Sequence, residues 1–117
     1  MGMPPKQRRQ TRHLPAFVLL ALAQGPSHGG AIHSALQERL PGLKVDTAAV
    51  YRTLQTLEAE GELSAAWDTA APGPARKVYS ITRAGRLRLD AWREDILHRL
   101  EALRGFLDDY DKLPPER

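Results

Sequence analysis

The chain has 117 residues, a formal net charge of +3, and 17 Lys and Arg against 14 Asp and Glu. Its length corresponds to one domain, in which oligomerisation is a natural way to bury more apolar surface. The absence of cysteine excludes disulfides, thiolate metal sites and thiol redox sensing, and no apolar run approaches the roughly 18 residues of a membrane span, so we expect a cytoplasmic protein without membrane contact.

The first thirteen residues form a basic segment with almost no apolar side chain. It contains Arg8, Arg9 and Arg12, and a segment of this composition does not join a hydrophobic core. Basic arms can order on phosphates or enter a minor groove, whereas the alternative is a solubilising tail. We therefore assign residues 1–13 to a flexible N-terminal arm, and its contact with DNA is an open hypothesis.

Two helices are predicted after this arm. The first covers the apolar run from Leu14 to Ala23, in which Pro15 is compatible with a first helical turn, and Gly25-Pro26 ends it. Ser27 is the predicted N-cap of the second helix. That helix carries apolar residues at helical spacing until Pro41-Gly42 stops it, namely Ile32, Leu36 and Leu40.

His28 and His33 are the residues to test for metal binding and catalysis. Five positions separate them by about 140° on a helix, and no carboxylate nearby completes a site, so we expect no metal. His28, at a helix N-terminus, is better placed to contact a phosphate. Because we find no catalytic Ser/His/Asp spacing, Gly-rich phosphate loop or paired carboxylates, we expect neither an enzyme nor a cofactor.

A third helix is predicted from near Thr47 to near Gly61, with Asp46 as its N-cap. Its apolar stripe consists of Val50, Leu54 and Leu57. The opposite face presents Ala48, Arg52 and Gln55, with Tyr51 beside them. A DNA-recognition helix needs small residues, here Ala48 and Ala49, near its N-terminus and long donors beyond them. The alternative is a surface helix with an ordinary solvated face.

A β-hairpin is predicted after the third helix. Its strands are residues Glu62 to Trp67 and Arg76 to Thr82, and a tip from Asp68 to Ala75 contains two prolines and a glycine. Arg76 and Lys77 lie at the base of the tip, where a wing meets the sugar-phosphate backbone. Alternatively, these charges only protect an edge strand.

The last predicted helix runs from about Arg83 to Asp109 and has an apolar stripe longer than one small domain covers. We therefore predict a homodimer about a twofold axis, built on this helix. The alternative, a helix folded back on its own domain, suits only the half from Leu87 to Ile96. The predicted dimer interface consists of Leu89, Trp92, Ile96, Leu100, Leu103, Phe106, Leu107 and Tyr110.

Three segments resemble the PadR family of bacterial transcriptional regulators, and the similarity extends over most of the chain. They are His28 to Gly30, Val50 to Gly61 and Arg76 to Gly85. Where the family pattern has an aromatic residue, a proline and a tyrosine, this chain has Gly30, Arg52 and Val78.

The resemblance implies a mainly α fold with a small β-hairpin. A winged helix-turn-helix would span residues 14–82, and a single C-terminal dimerisation helix would span residues 83–113. It also implies a dimeric repressor. Some family members respond to phenolic or drug-like compounds near the dimer interface, and Trp92 with Phe106 are the candidates for such an aromatic effector site. The alternative is that Trp92 belongs to the core.

The sequence therefore predicts a regulator that binds a pseudo-palindromic operator in double-stranded DNA, with half-sites about 34 Å apart. Two alternatives are a protein-interaction module, whose basic arm docks on an acidic partner, and a nonspecific architectural DNA binder. Residues 1–85 hold 10 Lys and Arg against 6 Asp and Glu, which places the positive field at the front of the molecule. In the predicted contact, Tyr51, Arg52 and Gln55 read bases, Thr47 and His28 hold phosphates, and Arg76 with Lys77 form the wing contact.

Overall fold

The computed structural model describes residues 12–42, 44–70 and 72–116, and within these ranges four helices and three strands follow one another. The mainly α fold with a small sheet and a long last helix is confirmed. Its elements are α1 (Leu14–Ala23), β1 (Ser27–His28), α2 (Gly29–Arg39), α3 (Thr47–Ala59), β2 (Leu63–Asp68), β3 (Arg76–Ile81) and α4 (Arg83–Asp111).

Helix α1 occupies the centre of the hydrophobic core. Its Val18, Leu19 and Leu22 are fully buried, because α2, α3, α4 and β3 all pack on this helix. A helix that is apolar around most of its circumference is stable only when it is covered in this way. The other elements supply the rest of the core, which includes Ile32, Leu36, Val45, Val50, Leu54, Leu57, Leu63 and Tyr79.

The start of α2 differs from the sequence prediction. Ser27 does not cap the helix. It lies in β1, opposite Tyr79 of β3, and the sheet order is β1-β3-β2. His28 is the N-cap instead, since its extended backbone ends β1 and its Nδ1 accepts the N–H of Ala31 at 3.3 Å. The helix ends at Arg39, with Leu40 as its C-cap.

Helix α3 begins and ends with recognisable caps. The Asp46 carboxylate accepts the N–H of Ala49 at 3.2 Å, as the sequence predicts. At the other end, Gly61 has φ of +79° and donates to the carbonyl oxygen of Glu58, while the N–H of Glu62 reaches Leu57 at 2.9 Å. This is a Schellman motif, and it explains why the helix stops at Ala59 with Gly61 just beyond it.

The hairpin forms with a defined register, in which Ala65 faces Tyr79 and Trp67 faces Lys77. Tyr79 is the β3 residue that enters the core, and Val78 is only half-buried. Strand β2 begins one residue later than the sequence predicts, because Glu62 belongs to the chain reversal that ends α3. Its side chain is buried even though it is charged.

Helix α4 continues two residues beyond the predicted end, and its first turn touches the chain reversal after α3. Thr82 caps it, accepting the N–H of Gly85 at 3.1 Å and donating to the carbonyl oxygen of Gly61 at 2.7 Å. A Cβ atom at Gly85 would collide with the backbone carbonyl of Glu62. This position therefore requires glycine for a close backbone approach.

We expect Gly85→Ala to lower the free energy of unfolding by about 1–3 kcal/mol, because the added methyl group forces the two backbone segments apart. The measurement is urea denaturation at a fixed protein concentration. Gly105→Ala on the same helix is the matched control, since nothing lies near its Cβ position, and it should raise stability by roughly 0.5–1 kcal/mol. Equal effects of the two substitutions would contradict the close approach.

Candidate nucleic-acid interface

The outer face of α3 presents the residue types that the sequence predicts. Ala48, Arg52 and Gln55 are exposed, while Val50 and Leu54 on the opposite side are fully buried. Ala49 is an exception, because it is turned inward and only 6% exposed. The helix therefore presents one small residue, not two, beside its long polar side chains.

Arg52 is the most prominent cation on this face. Its side chain is 68% exposed, and its Nη2 lies 4.0 Å from a carboxylate oxygen of Asp46. An exposed pair at this distance contributes little to stability and is readily exchanged for another acceptor. The guanidinium can therefore reach a base edge or a phosphate without breaking a strong internal interaction.

Tyr51 has two surroundings at once. Its ring lies against the backbone of Gly29, where a Cβ atom would overlap the ring, yet the residue remains 42% exposed. The contact joins α3 to the first turn of α2, which sets the angle between the two helices of the helix-turn-helix. Tyr51 thus positions the recognition helix as well as lining its outer face.

The loop before α3 is held by two side chains of α2 that the sequence analysis did not single out for this purpose. His33 Nε2 is 2.8 Å from the carbonyl oxygen of Val45, and the side-chain oxygen of Gln37 accepts the N–H of Val45 at 3.0 Å. Thr47 Oγ1 lies 3.3 Å from the same His33 nitrogen. Their four-residue spacing, which places them on one face of α2, is the signal that could have indicated this role.

His28 and Arg76 come together at the edge of the sheet, as β1 pairs with β3. His28 Nδ1 accepts the N–H of Ala31, so a neutral ring carries its proton on Nε2, and Arg76 Nη1 lies 3.3 Å from that nitrogen. Both facing groups are then hydrogen-bond donors. An anionic oxygen beside them would accept from both, next to the N-terminus of α2.

Lys77 is oriented differently from Arg76, because neighbouring residues of a strand point to opposite faces. Its Nζ is 2.9 Å from a carboxylate oxygen of Glu58 on α3 and 5.4 Å from the centre of the Tyr79 ring. The hydrogen bond with Glu58 raises the pKa of the Lys77 ammonium group above its ordinary value. Lys77 thus ties the wing to the end of α3, and the two cations do not form one patch.

The arm and the two histidines complete the set of predicted contacts. Arg12 is exposed immediately before α1, whereas Arg8 and Arg9 lie outside the described residues. Across the described ranges, no group of three or more His, Asp or Glu side chains is arranged to hold a metal ion. In the same part of the chain, no helix combines the length and apolarity that a membrane crossing requires.

The predicted interface residues of α4 fall into two groups. Leu89 and Trp92 pack against the core of their own domain. The other six residues have exposed fractions between 37% for Ile96 and 65% for Phe106 and extend along the distal half of the helix. Trp92 and Phe106 are 14 residues apart, which is about 21 Å along a helix, so within one protomer they do not line a common cavity.

Comparisons with known proteins agree with this geometry. Residues 18–91 match the family model described as the transcriptional regulator PadR-like family. A PadR family transcription regulator from Clostridium difficile R20291 superposes with a TM-score of 0.71 at 20% identity, over 81% of this chain and 98% of that chain. A conserved protein described as a potential transcriptional factor is 34% identical, with a TM-score of 0.69 over 92% of this chain and all of that chain.

A third solved structure contains DNA. The PadR protein of Bacillus subtilis, in complex with operator DNA, has a TM-score of 0.62 and 25% identity over 70% of this chain. The matched region is 47% of that chain, so this protein spans about half the length of the Bacillus subtilis regulator. The search of curated proteins found no match. With the family model covering residues 18–91, the chain belongs to the PadR-like family of transcriptional regulators.

Proposed function

We propose that this chain is a homodimeric repressor that binds a pseudo-palindromic operator in double-stranded DNA. The observation that carries the proposal is the exposed face of α3, where Ala48, Arg52 and Gln55 stand free of the core. The Bacillus subtilis relative was solved with operator DNA, which supports the same use of this fold here. Such a protein acts in the cytoplasm, by excluding polymerase from a promoter, and does so without catalysis or a cofactor.

In this proposal the side chains divide the work by their position. Arg52 and Gln55 reach base edges in the major groove, and Ala48 allows the helix backbone to approach. Tyr51 contributes from the edge of the same face while it holds α2. His28 and Arg76 bind one phosphate between them, with Thr47 at the start of α3 as a second phosphate ligand. Lys77 reaches a phosphate only by exchanging its ion pair with Glu58.

The dimer follows from the unpaired apolar stripe of α4. An apolar groove of about 340 Å³ between α1 and α4 adjoins that stripe, and we propose that it receives part of the partner's α4. The groove is lined on its apolar side by Phe17, Leu20, Leu89, Trp92 and Ile96. Residues 83–113 then form the dimerisation helix, residues 14–82 the DNA-binding domain and residues 1–13 a basic arm.

The dimer also decides where an aromatic effector would bind. Trp92 and Phe106 are far apart in one protomer, so a site containing both requires Trp92 of one copy and Phe106 of the other. We propose such a shared site only as a property of the assembled dimer. A protein without this arrangement would bind its operator independently of aromatic compounds.

We expect duplexes selected from random DNA to contain an inverted repeat with half-sites about one helical turn apart. Arg52→Ala should lose the enrichment at one or two positions of each half-site, corresponding to about 1–3 kcal/mol of discrimination. Arg104→Ala, an exposed arginine on the distal part of α4, is the control that keeps the preference. Selection at two salt concentrations separates the alternatives: salt-sensitive binding without enrichment would indicate an architectural protein, and no binding would indicate a protein-interaction module.

We expect Arg76→Ala to weaken binding to all duplexes alike, because its contact is with the phosphate backbone. The slope of log affinity against log salt concentration should fall by about one. Measurement is by fluorescence anisotropy over a salt series with one specific and one unrelated duplex. A loss confined to the specific duplex would show instead that Arg76 reads bases.

We expect Leu103→Glu to yield a folded monomer, because this side chain is 63% exposed in one protomer and its charge would be buried in the dimer. Sedimentation equilibrium gives the mass, and circular dichroism confirms the helical content. Glu101→Ala, two residues away and on the opposite side of α4, should remain dimeric. A Leu103→Glu protein that is still dimeric would place the interface elsewhere.

A further inference from the structure

A second cavity, with no role in the proposed DNA contact, lies between the start of α1, the flank of α3 and the first half of α4. Its volume is about 680 Å³, which is within the usual range for small-molecule sites. It differs from the α1–α4 groove that we assign to the partner. Its lining residues are Leu14, Pro15, Ala49, Arg52, Thr53, Thr56, Leu57, Glu60, Glu62, Arg88 and Trp92.

Glu62 gives this cavity an unusual polar feature. The side chain is only 8% exposed, and one carboxylate oxygen accepts Arg88 Nε at 3.3 Å. The other oxygen, Oε1, is buried and has no hydrogen-bond partner among the described residues. A desolvated carboxylate is costly unless donors satisfy both of its oxygens. Glu62 therefore has capacity for one further donor.

A second buried polar atom without a partner lies near the same cavity. His13 Nε2 is enclosed and makes no hydrogen bond to the described residues, and the His13 ring meets the edge of Trp92 at 5.9 Å between centroids. His13 directly precedes Leu14, and both Leu14 and Trp92 line the cavity. In most proteins such buried atoms are paired. Two unpaired atoms around one cavity are independent indications of a missing ligand.

We propose that this cavity binds a small organic cation with a flat apolar body. The body packs against Trp92, Leu14 and Leu57, and a protonated amine or amidine donates to the unpaired oxygen of Glu62. A cation is favoured because the unsatisfied atom is an acceptor and Arg88 is already engaged with the other oxygen. The carboxylate of Glu60, on the same lining, adds negative charge.

Occupation of the cavity would alter DNA binding, a consequence that rests on the function proposed above. Arg52 lines the cavity and also stands on the outer face of α3, and Thr53 and Thr56 line the cavity from the next turn. A ligand wedged between α3 and α4 therefore contacts the flank of the recognition helix directly. The cavity is an effector site that acts within one protomer.

The test titrates the full chain, without DNA, with three flat molecules of nearly equal shape. These are benzamidine, which is a cation, benzamide, which is neutral, and benzoate, which is an anion. The readout is the indole N–H signal of Trp92 in a nitrogen-15 correlation spectrum. Trp67, which is 66% exposed on the wing, is an internal control because it lies far from the cavity lining.

We expect benzamidine to shift the Trp92 signal saturably and to bind about tenfold more tightly than benzamide, as a charge-assisted hydrogen bond would give. Glu62→Gln should abolish this preference while it retains the shape of the side chain. Glu101→Gln on the exposed part of α4 should leave it unchanged. Thr56→Phe, at an exposed position on the cavity lining, should block binding without disturbing the buried carboxylate.

Three results would overturn the proposal: no saturable shift of Trp92, equal binding of benzamide, or stronger binding of benzoate through Arg52 and Arg88. Operator affinity measured with and without saturating benzamidine then tests the regulatory consequence, with Thr56→Phe as the insensitive variant. Since the titration contains no DNA, a failure to bind operator would refute the proposed function but not the cation site.

Discussion

The geometry of the molecule depends on the close backbone contact between the chain reversal after α3 and the first turn of α4. The carbonyl oxygen of Glu62 accepts the N–H of Thr82 at 3.1 Å, and the Thr82 hydroxyl donates to Gly61 at 2.7 Å. Gly85 allows the approach because it has no side chain. Since Gly61 ends the recognition helix and Thr82 begins α4, this contact fixes the angle between them. In the proposed dimer it also fixes the spacing of the two recognition helices.

Features governed by residues within one or two helical turns could be predicted from the sequence. The spacing of Val50, Leu54 and Leu57 identified the buried side of α3, and Asp46 was recognised as its cap, because both depend only on helical geometry. Strand β1 could not be predicted in this way. It has two residues, and it exists because Ser27 pairs with Tyr79, far along the chain. The same long-range pairing replaced Ser27 by His28 as the cap of α2.

The candidate site was predictable as a face but not as a network. Exposure of Ala48, Arg52 and Gln55 follows from the helical period, whereas Ala49 lies at the boundary of that face and turned inward. The interactions of the charged residues depend on the tertiary fold. His28 and Arg76 are 48 positions apart, and Lys77 meets Glu58 only because the wing folds back on α3. Sequence alone showed two adjacent cations, but the alternation of the strand gives them separate roles.

Helix α4 connects the cavity and the proposed dimer interface mechanically. Arg88, which pairs with Glu62, lies less than one turn after Gly85, so an occupant of the cavity would act close to the backbone contact that fixes the helix angle. The helix has 29 residues and therefore measures about 43 Å. A rotation of about 5° at its base moves its far end by about 4 Å, close to the 3.4 Å rise of one base pair. Because the two recognition helices of a symmetric dimer must enter their half-sites together, a displacement of this size is sufficient to disturb operator binding.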